Sequence, residues 1–278
     1  MKQFLVSIIT PCYNCSRFIG QMIESVRVQT YKNWELLITD DCSTDDSCNI
    51  VEKYAAIDPR IKLFRLKQNS GAGVARNNSI EKAQGRFIAF LDSDDMWKPE
   101  KLEKQLAFML DNGYKFSHSY TLVVDENNIP VGINKKPSRV SFRSTRIINY
   151  IGTSSVIYDT DGVGKVYMKP IRRRQDFALW LSILQRTKYA YCIPEPLFIY
   201  RYVHNSLSAN KFKLLKYHVQ VYEQALGYSK LHATLLFYCV SLPCFVVKKG
   251  LEKSREVLKK RPNCKSLQSV LERNSLLK

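Results

Sequence analysis

The sequence predicts an α/β protein with a Rossmann-like, mostly parallel central sheet flanked by helices, followed by a helical C-terminal extension. Three observations carry that prediction. Apolar runs of strand character alternate with helix-period segments through the first 120 residues, two of those runs end abruptly in aspartates, and the charge balance changes near the C-terminus. Strands alternating with helices imply βαβ units, whose crossovers cover both faces of a sheet.

The elements follow in order. Residues 4–10 are a β-rich run stopped by Pro11, and residues 18–29 place Phe18, Ile19, Met22, Ile23 and Val26 at helical spacing. Residues 34–39 are a second strand closing on Asp40 and Asp41. Ser43 is the expected N-cap of a helix running to Ala56, with Asp45 and Asp46 favourable in its first turn. Asp58-Pro59 breaks that helix, and residues 61–66 read as a third strand. Residues 73–83 are helical, Gly85 ends them, and residues 86–91 are a fourth strand. Pro99 opens a helix to about Asn112, before Gly113.

After Tyr120 the rhythm changes. Residues 121–125 and 129–133 flank Glu126-Asn127-Asn128 as a hairpin, 144–151 read as a short helix, 176–186 as an amphipathic helix and 197–203 as a late strand. From Asn210 onward the pattern is mainly helical. Residues 235–247 form an apolar run containing Pro243 and followed by Lys248-Lys249. That run is too short to span a bilayer, which leaves two readings: a buried helical hairpin, or an interfacial element with basic flanks.

The net charge is +18, from 43 Lys+Arg against 25 Asp+Glu. From Arg201 to Lys278 there are 15 Lys+Arg and 4 Glu, so +11 of the total lies in the last 78 residues. Such an excess favours phosphorylated substrates, anionic lipid or nucleic acid. The first residues contain no apolar leader segment, so the cytoplasm is the expected compartment and the eight cysteines are expected to be reduced.

The chemistry concentrates in aspartates. Residues 87–91 end in Asp92, Asp94 and Asp95, three carboxylates within four positions. At the carboxyl end of a strand they sit where such folds bind ligands, and hard divalent cations take oxygen donors. A solvated acidic turn is the plain alternative. Asp40-Asp41 closes the second strand, so both clusters land on one rim of a parallel sheet, where like charges raise one another's pKa. A cation with a nucleotide diphosphate relieves that repulsion.

Other motifs are weaker. Tyr13, after Thr10-Pro11-Cys12, is placed to stack on a base, although tyrosine is also a common core residue. Cys12 and Cys15 form an isolated CxxC, better read as coincidence than as a redox or zinc site. Gly71-Ala72-Gly73-Val74-Ala75-Arg76 fails the context of a dinucleotide fingerprint, but suits a loop carrying Arg76 toward a phosphate or base. Arg172-Arg173-Arg174 reads either as a solvated patch or, beside Asp176, as a holder for an acceptor diphosphate.

In order, the strings VSIITPCYN, TDDCSTDD, NSGAGVARN, GRFIAFLDSDDMWKP and RQDFALWL resemble the family 2 inverting glycosyltransferases of GT-A fold, in the subset that builds bacterial surface polysaccharides such as O-antigen or capsule. The likeness covers residues 6–97 closely, then the region of Asp176 and Tyr200-Arg201. It implies a catalytic domain over 1–205, with a nucleotide-sugar half (1–120) and an acceptor half (121–205). A basic extension over 206–278 would then meet an anionic membrane surface on its cytoplasmic face. The resemblance also implies that Thr10, Pro11 and Tyr13 wall the base, Asp41 takes a uracil NH, and Arg76 lies near the nucleotide. By the same likeness Asp94 holds the ribose, Asp95 binds Mn²⁺ or Mg²⁺, Asp92 lies near the donor sugar, and Asp176 is the general base. Arg174 and Gln175 fall where the acceptor would bind, with Gln175 in place of the family's Glu and Cys42 in place of its usual Gly.

The expected reaction is inverting transfer of a sugar from a UDP-linked donor to a lipid-linked saccharide. Two other classes compete. One is a metal-dependent phosphotransferase or phosphatase with Asp92 or Asp94 as nucleophile. The other is a basic nucleic-acid-binding module, which lacks recognition motifs and would turn its acidic clusters toward a polyanion, so nucleic acid is not an expected partner.

Overall fold

The computed structural model describes residues 4–202, 215–248 and 250. In the first half, β1 (Val6–Cys12), α1 (Ile19–Arg27), β2 (Trp34–Asp40), α2 (Ser47–Ile57), β3 (Ile61–Arg65), α3 (Ala72–Lys82) and β4 (Phe87–Phe90) alternate as expected. The four strands are parallel, in the order β3-β2-β1-β4. β2 is buried along its whole length. Leu36 and Ile38 join one apolar cluster while Leu37 joins the other. Burial on both faces is why these strands read as continuous apolar runs rather than alternating ones.

Two local expectations are corrected. Ser43 does not cap α2, which starts four residues later at Ser47 and carries no acid in its first turn. The reason is competition: Ser43 donates its backbone N–H and its hydroxyl to Asp40 and accepts the N–H of Asn14, so it belongs to the strand-end loop. Gly85 does not end α3, whose C-cap is Ala83; it is demanded by close approach instead. A Cβ there would lie 2.6 Å from the Leu5 carbonyl oxygen and 2.7 Å from Ser7 N.

The second half continues the sheet with a reversal. β5 (Met96–Trp97) and α4 (Lys101–Asn112) precede β6 (Phe116–Val124), and Gly113, left-handed at φ 68°, closes α4. β6 pairs with β7 (Pro130–Asn134) as the expected hairpin. Then come β8 (Arg139–Ser141), α5 (Phe142–Ile147), a 3₁₀ turn (Thr153–Ser155), β9 (Ile157–Asp159), α6 (Gln175–Thr187) and β10 (Tyr189–Arg201). α5 begins earlier than expected because Ser141 and Ser144 cap each other's backbone. β9 runs antiparallel between β4 and β6, giving a ten-stranded sheet of order β3-β2-β1-β4-β9-β6-β10-β5, with β7 and β8 on its flanks. β10 is longer than expected. Pro194 and Pro196 hide its first half from a sequence reading, and its pairing with β6 absorbs them as irregularities around Pro196. Val203, the expected end of that strand, is outside the described residues.

Beyond β10, α7 (Leu215–Leu226) and α8 (Lys230–Leu235) pack on α6. α8 runs on through a π-helical stretch (Leu236–Ser241), so one helix extends over Lys230–Lys248. This settles residues 235–247 against a buried hairpin. Pro243 sits inside the helix rather than breaking it. A proline ring clashes with the carbonyl four residues back, and the wider π turn just before it makes room. The helix is also longer than the apolar run alone, long and apolar enough to cross a membrane by length and composition. Residues 206–214, 249 and 251–278 of the expected extension are outside the described residues, as is Cys264. The seven described cysteines are free thiols.

Candidate active site

β1, β2 and β4 are parallel neighbours, so their carboxyl ends open on one rim. At the end of β2, Asp41 is buried and its two oxygens accept the backbone N–H groups of Ser70 and Gly71, both at 2.7 Å. That pair of bonds anchors the loop leading into α3, which carries Arg76. Gly71 itself adopts φ 90°, a region that a side chain disfavours. Tyr13, just after β1, is half exposed and Pro11 partly so. Thr10 is wholly buried, its Oγ1 without a hydrogen-bond partner, on the same strand face as Val6, Ile8 and Cys12. Thr10 therefore supports the rim from below.

Arg76 is buried and donates through Nη2 to Asp92. The Asp92 carbonyl accepts the N–H of Asp95, closing the acidic turn at 3.1 Å. Burial and the neighbouring Asp92 push the Asp94 carboxyl up to about 6, against the pull of Arg201 and Arg76. Asp95 is more deeply buried, and burial with the charges of Asp94 and Asp92 pushes it well above the usual carboxylate range. Its oxygens accept from Ser154 Oγ (2.6 Å) and from Arg201 N (3.3 Å). Among the described residues no group of three or more His, Cys, Asp or Glu forms a metal cage. The donor set nevertheless fits a hard divalent cation: crowded carboxylates, oxygen only, with remaining positions left for ligand phosphates.

The residues that join this cluster to α6 have no motif. Ser154 Oγ also accepts the N–H of Asp92 at 3.1 Å, and Thr153 Oγ1 donates to Asp176 Oδ2 at 3.3 Å. Asp95 and Asp176 are therefore each one hydrogen bond away from adjacent residues of the same 3₁₀ turn. Asp176 stands in the first turn of α6, where a carboxylate is favoured. Arg174, at φ 62° before the helix, is buried enough to lower its pKa, an effect opposed by Asp176. Gln175 donates to the Arg172 carbonyl and lies where a Cβ on Gly73 would meet it at 3.1 Å. The N-termini of α3 and α6 thus meet at a cavity of about 450 Å³, lined by Gly71, Gly73, Lys169, Arg172 and Gln175.

Sequence reasoning missed Thr153 and Ser154, because a Gly-Thr-Ser-Ser stretch has no periodicity and its partners lie 23 to 62 residues away. It placed Arg201 only within a resemblance. Arg201 is buried, donates to Gln21 and Asn128, lies 4.4 Å over the Phe18 ring and faces Asp94 and Asp95 electrostatically. The CxxC thiols are 3.2 Å apart and share a hydrogen bond, which lowers Cys15 to about 7 and, with burial, raises Cys12. Ser154→Ala should strip a hydrogen bond from both Asp92 N and Asp95, a loss worth about 1–3 kcal/mol for buried partners. The expected result is donor affinity weakened by about tenfold in calorimetry, with the melting temperature lowered by a few degrees.

The family described as glycosyl transferase family 2 matches residues 7–173. The chain belongs to that family. This family 2 glycosyltransferase is 42% identical over 236 residues to TuaG of Bacillus subtilis (strain 168), named as a candidate teichuronic acid biosynthesis glycosyltransferase, covering 84% of this chain and 92% of TuaG. It is 39% identical over 222 residues to the Escherichia coli UDP-Glc:alpha-D-GlcNAc-diphosphoundecaprenol beta-1,3-glucosyltransferase WfgD, covering 78% and 84% of the two chains. In structure it is similar to S. aureus TarS 1–349 in complex with UDP-GlcNAc, with a TM-score of 0.66 at 20% identity, covering 84% of this chain and 70% of that one. At that identity the likeness concerns the fold, which is GT-A.

Proposed function

We propose that this glycosyltransferase moves one sugar from a UDP-linked donor to a hydroxyl of a lipid-linked saccharide, with inversion at the anomeric carbon, in assembly of a surface polysaccharide such as O-antigen or capsule. The observation that supports this most is the Thr153–Ser154 bridge, which sets a lone carboxylate at Asp176 beside the Asp92–Asp95 cluster. A single displacement needs that arrangement: a base for the nucleophile on one side and a leaving-group site on the other.

Tyr13 stacks on the base, Asp41 uses its remaining lone pairs for an imide N–H, and Asp94 receives the ribose. Arg76 balances Asp92 beside the donor. Asp95 holds Mn²⁺ or Mg²⁺, which supplies Lewis-acid neutralisation of the departing diphosphate when bound. Asp176, kept in place by Thr153, takes the proton of the attacking hydroxyl. Arg174 and Gln175, next to it in sequence, border the acceptor. The acceptor in WfgD's name, GlcNAc-diphosphoundecaprenol, supports a lipid-linked substrate and hence action at the cytoplasmic face of a membrane.

The test is product analysis with a panel of α-linked UDP-sugars and a GlcNAc-diphospholipid acceptor in Mn²⁺. The expected product is a β-linked disaccharide lipid, read from its anomeric proton coupling. Retained configuration would overturn the single inverting displacement, whereas a trapped phosphoaspartate without sugar transfer would return the assignment to the phosphotransferase class.

A further inference from the structure

The helix Lys230–Lys248 has two apolar faces. Ala233, Phe237 and Ser241, four residues apart, are buried against a cluster that includes Phe177 of α6 and Tyr222 of α7. Leu231, Leu235, Tyr238, Phe245 and Val246 form a second stripe that remains 42–68% exposed. A surface helix that has buried one face ordinarily turns charged residues outward. Here no Asp, Glu, Lys or Arg occurs between Lys230 and Lys248. Beside the helix, Arg139, Arg143 and Lys188 line a groove of about 780 Å³ that contains no carboxylate. Among the described residues none of these three cations has an ion pair; Arg139 lies over the Tyr189 ring at 4.4 Å. α5, which supplies Arg143, also packs on the π-helical stretch, so groove and stripe are neighbours.

We infer that the stripe and the groove together are a docking surface for a bilayer of anionic phospholipid. The inference rests on the acceptor being lipid-linked, and it names the face that meets the lipid. The stripe enters the acyl boundary, and the groove receives a headgroup phosphate between its three cations. The helix lies in the membrane plane rather than across it, because its other face is committed to the protein core. A second copy of the chain is the poorer occupant. A two-fold contact over this surface would bring together two cationic patches that contain no carboxylate, within molecules each carrying +18. Because Phe177 adjoins Asp176 and packs in the same cluster as Phe237, docking holds the amino end of α6 at a set height above the lipid.

The experiment is sedimentation of the full chain with phosphatidylcholine vesicles, alone or mixed with phosphatidylglycerol, at low and high salt. The parent is expected to bind mixed vesicles more tightly, with the difference falling as salt rises. Leu235→Glu with Phe245→Glu should weaken binding to both vesicle types by at least about tenfold, as expected from withholding two large apolar side chains. Arg139→Gln with Arg143→Gln should narrow the preference for mixed vesicles severalfold without weakening binding to phosphatidylcholine alone, and an unchanged preference would remove the groove from the docking surface. Both variants should keep the parental melting curve and parental transfer to a short-chain, vesicle-free acceptor. Parental vesicle binding by the stripe variant, or a parental dimer abolished by that variant, overturns the proposal. Sugar transfer without any vesicle binding sinks this proposal alone, whereas absence of transfer in the parent sinks the functional reading beneath it.

Discussion

Asp176→Asn is expected to lower turnover by about 10²- to 10⁴-fold while leaving UDP-sugar affinity within about twofold of the parent. The change is isosteric, so the amide oxygen can still accept from Thr153 Oγ1 and α6 can still begin at Gln175. What disappears is the ability to take a proton. Because Asp176 is not among the residues proposed to hold the donor, donor binding should be spared. Calorimetry with UDP-sugar and Mn²⁺, together with single-turnover transfer, separates the two effects. Parallel loss of binding and turnover would show that Asp176 is a donor ligand or a helix-end support, not a base.

Asp95→Asn has the opposite signature. It should abolish Mn²⁺-dependent stabilisation by UDP while leaving the metal-free protein as stable as the parent or more so. The physical reason is that Asp95 carries a charge that the fold disfavours. Burial and the adjacent Asp94 and Asp92 oppose ionisation, against the hydrogen bonds from Ser154 and Arg201 N and the nearby Arg201 charge. An amide removes one of three mutually repelling carboxylates; its oxygen still accepts from Arg201 N, and the Ser154 hydroxyl must turn to accept from its NH₂ rather than donate. Thermal melts with and without Mn²⁺ and UDP read both halves of the prediction. A variant with unchanged Mn²⁺ dependence would move the metal elsewhere, and a large metal-free destabilisation would mean the carboxylate is mainly structural.

Much of this fold is legible in residue order. Most helix-period and strand-period runs up to β4 fall within a residue or two of the observed elements, because each is a local pattern with its own breaker. The failures are also local in cause. Ser43 is a good cap by type but is claimed by Asp40, and Pro194 and Pro196 disguise a strand that its partner β6 tolerates. The apolar run at 235–247 reads as too short and too broken, since a π turn that accommodates proline leaves no trace in periodicity.

The sequence by itself determined the chemistry of the candidate site: which carboxylates end which strands, and which helix opens with Asp176. Tertiary structure alone decided that Asp95 and Asp176 are tied to one turn, since each bonds to one of the adjacent Thr153 and Ser154, residues remote in the chain and featureless in composition. It decided, too, that one face of the last helix is spent on the core while the other is left apolar and uncovered. A side chain's type is written in the sequence. Its partner, and the face it turns outward, depend on packing between segments that local periodicity does not encode.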